Sequence, residues 1–340
     1  MNKILQYVLT TLILLCLAGI TSLYMVFDAR GPDPGKGTAD IIIRDGSSLN
    51  TIAKQLYDSQ IIRSPQSFKL AARLMNRTRA IYPGAYTLER GMSNTEAIEA
   101  LAHAKAIEIT VTIPEGLRSD EIVGLLSQTL GLDSLKMSQL LTDSSLLALA
   151  GEGFSHLEGT LFPETYRFLQ NSDEYMVLNK LVTQFHASIT PEMITQADQF
   201  GFDLQRLITF ASLVEKETAR EDERRLVASV YHNRIKKGML LNCDPTIIYM
   251  LVRRGEWNGN IQRKHFRIND PYNSYMKRGL PPGPIANPGL ASIEATLDPE
   301  ITDFLYFVGK NDGTGVHDFS KTLREHNNKV NRYQRGRSSR

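Results

Sequence analysis

Cysteine is scarce: Cys16 and Cys243 are the only two in 340 residues. This excludes a small fold stapled by disulfides and any zinc site built on several thiolates. An excess of charge is missing too. With 39 Lys and Arg against 37 Asp and Glu, a formal charge of +2 provides no basic field for gripping nucleic acid, so no nucleic-acid partner is expected. Glycine-rich phosphate cradles of the GxxxxGKS/T or GxGxxG kind are absent, which counts against nucleotide chemistry. His232, His265, His317 and His326 are scattered without HExxH spacing, so neither a metal nor a cofactor is expected. No GxSxG elbow occurs and no histidine neighbours Cys243 in sequence, so a nucleophilic triad has no support. Gly 24 and Pro 14 are ordinary and exclude collagen-like or low-complexity chains. What is present is 42% hydrophobic content, enough to fill real cores in a chain of about two domains.

Ile4 to Phe27 form an apolar, uncharged run interrupted only by Gln6 and a few Thr and Ser. A helix of about 20 residues crosses the hydrocarbon layer, and a secretory h-region of about 7–15 residues is shorter than this run. Leu15 stands before Cys16 where a lipoprotein signal would have a small residue. The expectation is therefore an uncleaved, single-pass membrane anchor. The N-terminus would lie inside and the bulk of the chain outside. Arg30–Asp40 is rich in Pro and Gly and reads as a tether.

Beyond it a pattern recurs three times. Ile41–Ile43 precedes Gly46, Ser47, Ile52 and Leu56; Tyr86–Leu88 precedes Gly91, Ser93, Ile98 and Leu101; Ile109–Ile113 precedes Gly116, Ser119, Ile122 and Leu126. Each reads as strand, glycine turn, serine cap and amphipathic helix. The first unit, with a helix at Phe68–Met75, resembles the LysM carbohydrate-binding module. Helices are further expected in 119–150, at Asp173–Ser188, at Pro191–Phe200 and over the long segment Asp203–Lys237. Strands are expected at Leu305–Val308 and around His317–Phe319. The expected fold class is α+β: one N-terminal transmembrane helix, a small LysM-like α/β subdomain and a larger mixed α+β catalytic domain. The expected divisions are 1–27 anchor, 28–40 flexible linker, 41–105 LysM-like subdomain, 106–331 catalytic domain and 332–340 basic disordered tail. That tail carries Arg332, Arg335, Arg337 and Arg340.

Candidate chemistry concentrates at Leu207–Ala219. At about 100° per residue, Leu207, Ile208, Phe210, Ala211 and Val214 form one broad apolar face. Glu215 and Glu217 fall on its two flanks, while Lys216 points away. An apolar setting raises a carboxyl pKa toward that of a general acid. Pairing with Arg220, Arg224 or Arg225 would instead make either glutamate structural, and periodicity does not choose between them. Asn242, Asp244, Pro245 and Thr246 read as a turn opening a helix, with Asp244 as N-cap. Asp270–Tyr275 carries rings and an amide suited to sugars, and Gly279–Gly289 is too proline-dense for anything but a rigid loop.

Taken in order, Pro114-Glu-Gly116, Glu158-Gly-Thr-Leu-Phe-Pro-Glu-Thr-Tyr166, Ala211-Ser-Leu-Val-Glu-Lys-Glu217, Asp244-Pro-Thr246, Pro271-Tyr-Asn273, Gly279-Leu-Pro-Pro-Gly-Pro284 and Glu325-His-Asn327 resemble the MltG (YceG-like) endolytic murein transglycosylase family. Leu117 and Asn242 depart from its usual residues. The resemblance implies cleavage between N-acetylmuramic acid and N-acetylglucosamine within peptidoglycan glycan strands, leaving a 1,6-anhydro end. It implies Glu217 as the catalytic acid and base, without metal or cofactor. Glycan contacts are expected from Glu164, Tyr166, Asn242, Asp244, Tyr272, Asn273 and Tyr275, through their places in matching motifs, and Glu215 is assigned to structure or groove electrostatics. Expected partners are the glycan strands, the membrane and wall-synthesis polymerases. A hydrolytic muramidase and a non-catalytic wall-binding scaffold are the alternatives.

Overall fold

The protein is described by a computed structural model covering residues 3–44, 46–78, 80–103, 108–169 and 172–335. It is a mixed α+β chain with one N-terminal helix long and apolar enough to cross a membrane, Tyr7–Phe27, of mean hydropathy 2.1. The chain divides into two compact units, Met1–Ile109 with Arg167–Ser172, and Thr110–Tyr166 with Asp173–Arg340. The expected boundary at 105/106 lies outside the described residues.

In the first unit, α1 (Lys3–Phe27) is followed by β1 (Thr38–Ile43), α2 (Leu49–Asp58), α3 (Pro65–Leu74), β2 (Gly84–Glu89) and α4 (Asn94–His103). β1 and β2 pair antiparallel with Ile41 opposite Tyr86 and Ala39 opposite Leu88. The two-residue period sends Ile41, Ile43, Tyr86 and Leu88 to one face, where they meet Leu56, Phe68 and Leu101 in the core. Of residues 28–40, expected as a flexible linker, Thr38–Asp40 open β1 and residues before them are held against this unit. Gly31 N–H donates to Met92 O (3.1 Å), Gly35 N–H to Arg90 O (3.3 Å), and Ala29 is buried. The glycine-rich spelling serves close approach here: a Cβ on Gly31 would stand 2.7 Å from Ile61 O.

The second unit takes up the chain within β3 (Glu108–Thr112), which pairs with β4 (Thr165–Leu169). Helices α5 (Ser119–Leu130), α6 (Ser134–Leu140) and α7 (Ser144–Ala150) separate those strands, and α8 (Glu174–Ser188) and α9 (Pro191–Gln199) follow β4. The segment read as one long helix is two, α10 (Leu204–Glu217) and α11 (Glu221–Lys236), broken where Thr218 turns extended (φ −143°, ψ 130°). Next come α12 (Asp244–Arg253), a 3₁₀ turn at His265–Arg267, α13 (Leu290–Leu297), the antiparallel hairpin β5 (Tyr306–Gly309)–β6 (His317–Ser320) and α14 (Leu323–Val330). Arg332 and Arg335, expected in a disordered tail, stand in a short helical turn, Asn331–Arg335; Arg337 and Arg340 lie outside the described residues. Every residue from Leu207 to Val214 is buried, so α10 runs through the core with neighbours on all sides.

The threefold pattern has a single structural content. Gly46, Gly91 and Gly116 all take the left-handed turn (φ 73°, 77° and 75°). Ten residues later Leu56, Leu101 and Leu126 are fully buried. The caps vary more. Ser48, not Ser47, caps α2; Ser93 caps α4 in reciprocal contact with Glu96; α5 begins at Ser119 itself, with Arg118 at the cap position.

Candidate active site

Glu217 is the last residue of α10, so its side chain leaves the core where the helix stops. The side chain is half-buried, and Tyr231 of α11 donates its hydroxyl to Oε1 at 2.5 Å. The Cys243 thiol is a second neighbouring donor. Removal from water raises the Glu217 pKa above the ordinary carboxylate value, and the nearby Asp244 charge pushes the same way. The donors Tyr231 and Cys243 and the nearby His317 oppose the rise without cancelling it. Burial likewise pushes the Tyr231 phenol and the Cys243 thiol well up, so both stay protonated as donors. Among the described residues no cation pairs with Glu217. The result is a carboxyl whose protonated form is favoured relative to water, beside a fixed hydroxyl, which suits proton donation.

Glu215 has the opposite setting. Its Oε2 accepts from Gly289 N–H (3.1 Å) and Ser292 Oγ (2.7 Å), and Oε1 lies 3.6 Å from Arg224, which also binds Glu115 at 3.0 Å. This carboxylate ties α10 to the start of α13 and is committed to structure. Structural pairing therefore holds for one acid and not for the other. Lys216 is exposed and donates to Gly116 O at 2.8 Å.

Two loops close around Glu217. Asn242 N–H donates to Ser274 O (3.2 Å), Cys243 N–H to Ser274 Oγ (2.9 Å), and Thr246 Oγ1 meets Ser274 Oγ at 2.8 Å. α12 begins at Asp244 with Cys243 at the cap position, one residue earlier than the expected Asp244 cap. Asp244 is thereby free to accept from Tyr275 Oη (2.5 Å). On the far side Glu223 accepts from His317 N–H (2.8 Å) and pairs with Nδ1 (2.7 Å), fixing β6 to α11 near the acid.

Of the expected glycan contacts, Asp244 and Tyr275 gather with Glu217, and Asn242 stands exposed at φ 50° beside them. Others are placed elsewhere. Tyr166 is buried, with Oη donating to Phe162 O at 2.6 Å, so it braces its own turn instead of meeting a sugar. Asn273 is fully buried and organises its loop, donating to Ile268 O (2.8 Å) and accepting from Tyr275 N–H (3.0 Å). Glu164 is exposed and accepts from Thr165 N–H. Tyr272 lies against Tyr249, ring centroids 5.0 Å apart, in the wall of a cavity of about 550 Å³ that does not include Glu217.

That cavity's acid, Glu158, accepts from Ser119 N–H and Oγ, Asn287 Nδ2 and Tyr249 Oη, so both its oxygens are occupied. The carboxyl without an ion pair among the described residues, Glu217, lies outside this cavity. Sequence reading missed Tyr231, Cys243 and Glu158 as site residues. Tyr231 lies 14 residues from Glu217 on another helix, and no local spacing announces it.

Residues 41–332 match the sequence profile of the YceG-like family. The chain belongs to that family. This YceG-like chain is 32% identical over 315 residues to the endolytic murein transglycosylase of Bacillus subtilis strain 168, across 88% of its own length and 85% of the relative's. It is 28% identical over 297 residues to the endolytic murein transglycosylase of Streptococcus pneumoniae D39, covering 78% of its own length and 53% of that longer protein. A 2.6 Å crystal structure of a YceG-like protein from Listeria monocytogenes is similar in fold, with a TM-score of 0.58 and 30% identity over 86% of this chain and 99% of that one.

Proposed function

We propose that this YceG-like protein is an endolytic lytic transglycosylase of murein, with Glu217 as its single acid and base. The observation that carries the reading is a carboxyl at the end of α10 whose pKa burial raises, hydrogen-bonded to Tyr231 and free of any ion pair among the described residues. Glu217 donates its proton to the leaving glycosidic oxygen as the bond from the anomeric carbon of N-acetylmuramic acid breaks. The resulting carboxylate takes the proton of the same sugar's 6-hydroxyl as that oxygen bonds to the anomeric carbon. No water is consumed, and the high effective concentration of an internal hydroxyl replaces water activation. Asp244, Tyr275 and Asn242 contact the glycan beside the acid.

Replacing Glu217 with Gln tests the reading. Anhydro-ended fragments should disappear from digests of purified wall strands while the fold survives; retained activity overturns the assignment. A second reading, hydrolysis, draws on the Asp244 carboxylate close enough to Glu217 to raise its pKa, as a water-activating partner would be. Intact mass separates the two, because a hydrolytic product is heavier by one water.

Tyr7–Phe27 anchors the chain in the bacterial inner (cytoplasmic) membrane, with the residues that follow it on the periplasmic, extracytoplasmic side, where murein lies. Limiting the length of nascent strands beside wall-synthesis polymerases fits such an anchor. The strand–helix–helix–strand order of β1, α2, α3 and β2 supports a LysM-like role in gripping glycan.

A further inference from the structure

The cavity of about 550 Å³ walled by Arg118, His156, Glu158, Tyr249, Arg253 and Tyr272 takes no part in the bond cleavage described above. Its acids are already satisfied. Asp120 binds Arg118 at 2.8 Å, and Glu158 is saturated by four donors. Its donors are not. His156 Nδ1 accepts Glu158 N–H at 2.9 Å, which leaves the ring proton on Nε2, with no acceptor among the described residues. Arg253 is exposed, lies 4.8 Å over the Tyr272 ring and 5.9 Å over that of Tyr249, and has no carboxylate partner among the described residues. A guanidinium stacked on two rings is pre-aimed to bind a planar carboxylate through paired hydrogen bonds. The aromatic faces and the Pro271, Pro282 and Pro284 side chains supply apolar walls for whatever carries it.

Position identifies the carrier. α12 runs from Asp244, at the catalytic acid, to Arg253, at the cavity. At 1.5 Å per residue the two ends are about 14 Å apart. An extended peptide of about four residues spans that distance.

We propose that the cavity binds a carboxylate of the peptide carried by the muramic acid at the cleavage point, with Arg253 as its principal contact. This rests on the murein reading above. The strand would then be held at two places, sugar at Glu217 and peptide at Arg253, so the cut falls beside a residue that bears a stem.

The test measures binding of the full chain in detergent, with Glu217→Gln to stop turnover, to glycan strands of defined length. One set bears peptides and the other has been stripped by an amidase. Stripping should weaken binding roughly tenfold, the scale of one charge-assisted contact. Arg253→Ala should erase the difference between the two sets, and Arg253→Lys should restore part of it. Equal binding of the two sets overturns the proposal. So does an equal loss on both sets with Arg253→Ala, which would make the cavity a sugar subsite or Arg253 a structural residue. Failure of the murein reading shows separately, as the unmutated chain releasing no fragment from either set, and would overturn both.

Discussion

Two glutamates separated by one residue, at the end of a helix whose central stretch is buried, end in different surroundings because of what each side chain finds. Glu215 meets Gly289 N–H, Ser292 and Arg224 and is spent on structure. Glu217 meets a phenol, a thiol and the charge of Asp244, and burial raises its pKa. Glu217→Gln should cost at least about a hundredfold in turnover, the usual worth of a positioned acid. The pH profile tests its neighbours. Activity needs Glu217 protonated first, so it falls as pH rises through its raised pKa. Asp244→Asn removes a charge that raises that pKa, so the alkaline limb of kcat/KM should move to lower pH. Tyr231→Phe removes a donor that favours the carboxylate, so the limb should move to higher pH, with a lower maximum. Glu158 offers a stability counterpart. Burial raises its pKa from 4.5 to about 7, so the native state binds the proton more tightly than the unfolded chain. Stability from this group is present at low pH and lost as pH rises from about 4.5 to 7, by about 3 kcal/mol. Glu158→Gln should flatten that part of the stability curve in denaturant titrations at several pH values.

At the level of elements, the break between α10 and α11 makes the site. Had the helix continued through Thr218, Glu217 would have stayed one side chain on a buried rod. Ending there places it at a rim closed by the Asn242–Thr246 and Asp270–Met276 loops. The proline-rich loop is seated by a glycine. At φ 87° a Cβ on Gly159 would stand 2.5 Å from Pro284 Cγ and 2.8 Å from Ile208 Cγ2. Gly159→Ala should therefore cost about 3 kcal/mol by overpacking and left-handed strain, lowering Tm by roughly 10 °C in a thermal melt. Ile285 N–H donating to Ser212 Oγ at 3.1 Å fixes the same loop to α10, which explains a serine in the core stretch of that helix.

Over the whole molecule, the apolar N-terminal helix ends in the first unit and not in a loose tether. Asn94 Nδ2 donates to Val26 O (2.7 Å), Thr95 Oγ1 to Phe27 O (3.2 Å), and Val26 and Phe27 pack on the core around Phe68. A chain beginning at Val26 should leave the membrane fraction yet melt like the full chain. One beginning at Thr38 leaves Asn94 Nδ2 with Ser67 Oγ alone (3.0 Å), removes the acceptor of Thr95 Oγ1 and bares core, and should lose about 3 kcal/mol. Sedimentation and denaturant unfolding of the two truncations check both halves. A full chain that never sediments with membranes would remove the anchor from the proposal.

Periodicity and turn chemistry act over a few residues, and so the sequence by itself determined the apolar helix, the three strand–glycine–helix units, the buried face of α10 and the seven ordered motifs. It also narrowed the acid to Glu215 or Glu217, and family resemblance chose the second. It did not show that residues 28–37 are docked, that Tyr166 and Asn273 are internal braces, or that Tyr231, Cys243 and Asp244 surround the acid. Those facts depend on which atoms distant segments bring within about 3 Å of one another, because desolvation and hydrogen bonding are set by contact in space. The tertiary structure alone decided that one glutamate is tied down by Gly289, Ser292 and Arg224 while the other meets the Tyr231 hydroxyl with no ion pair among the described residues.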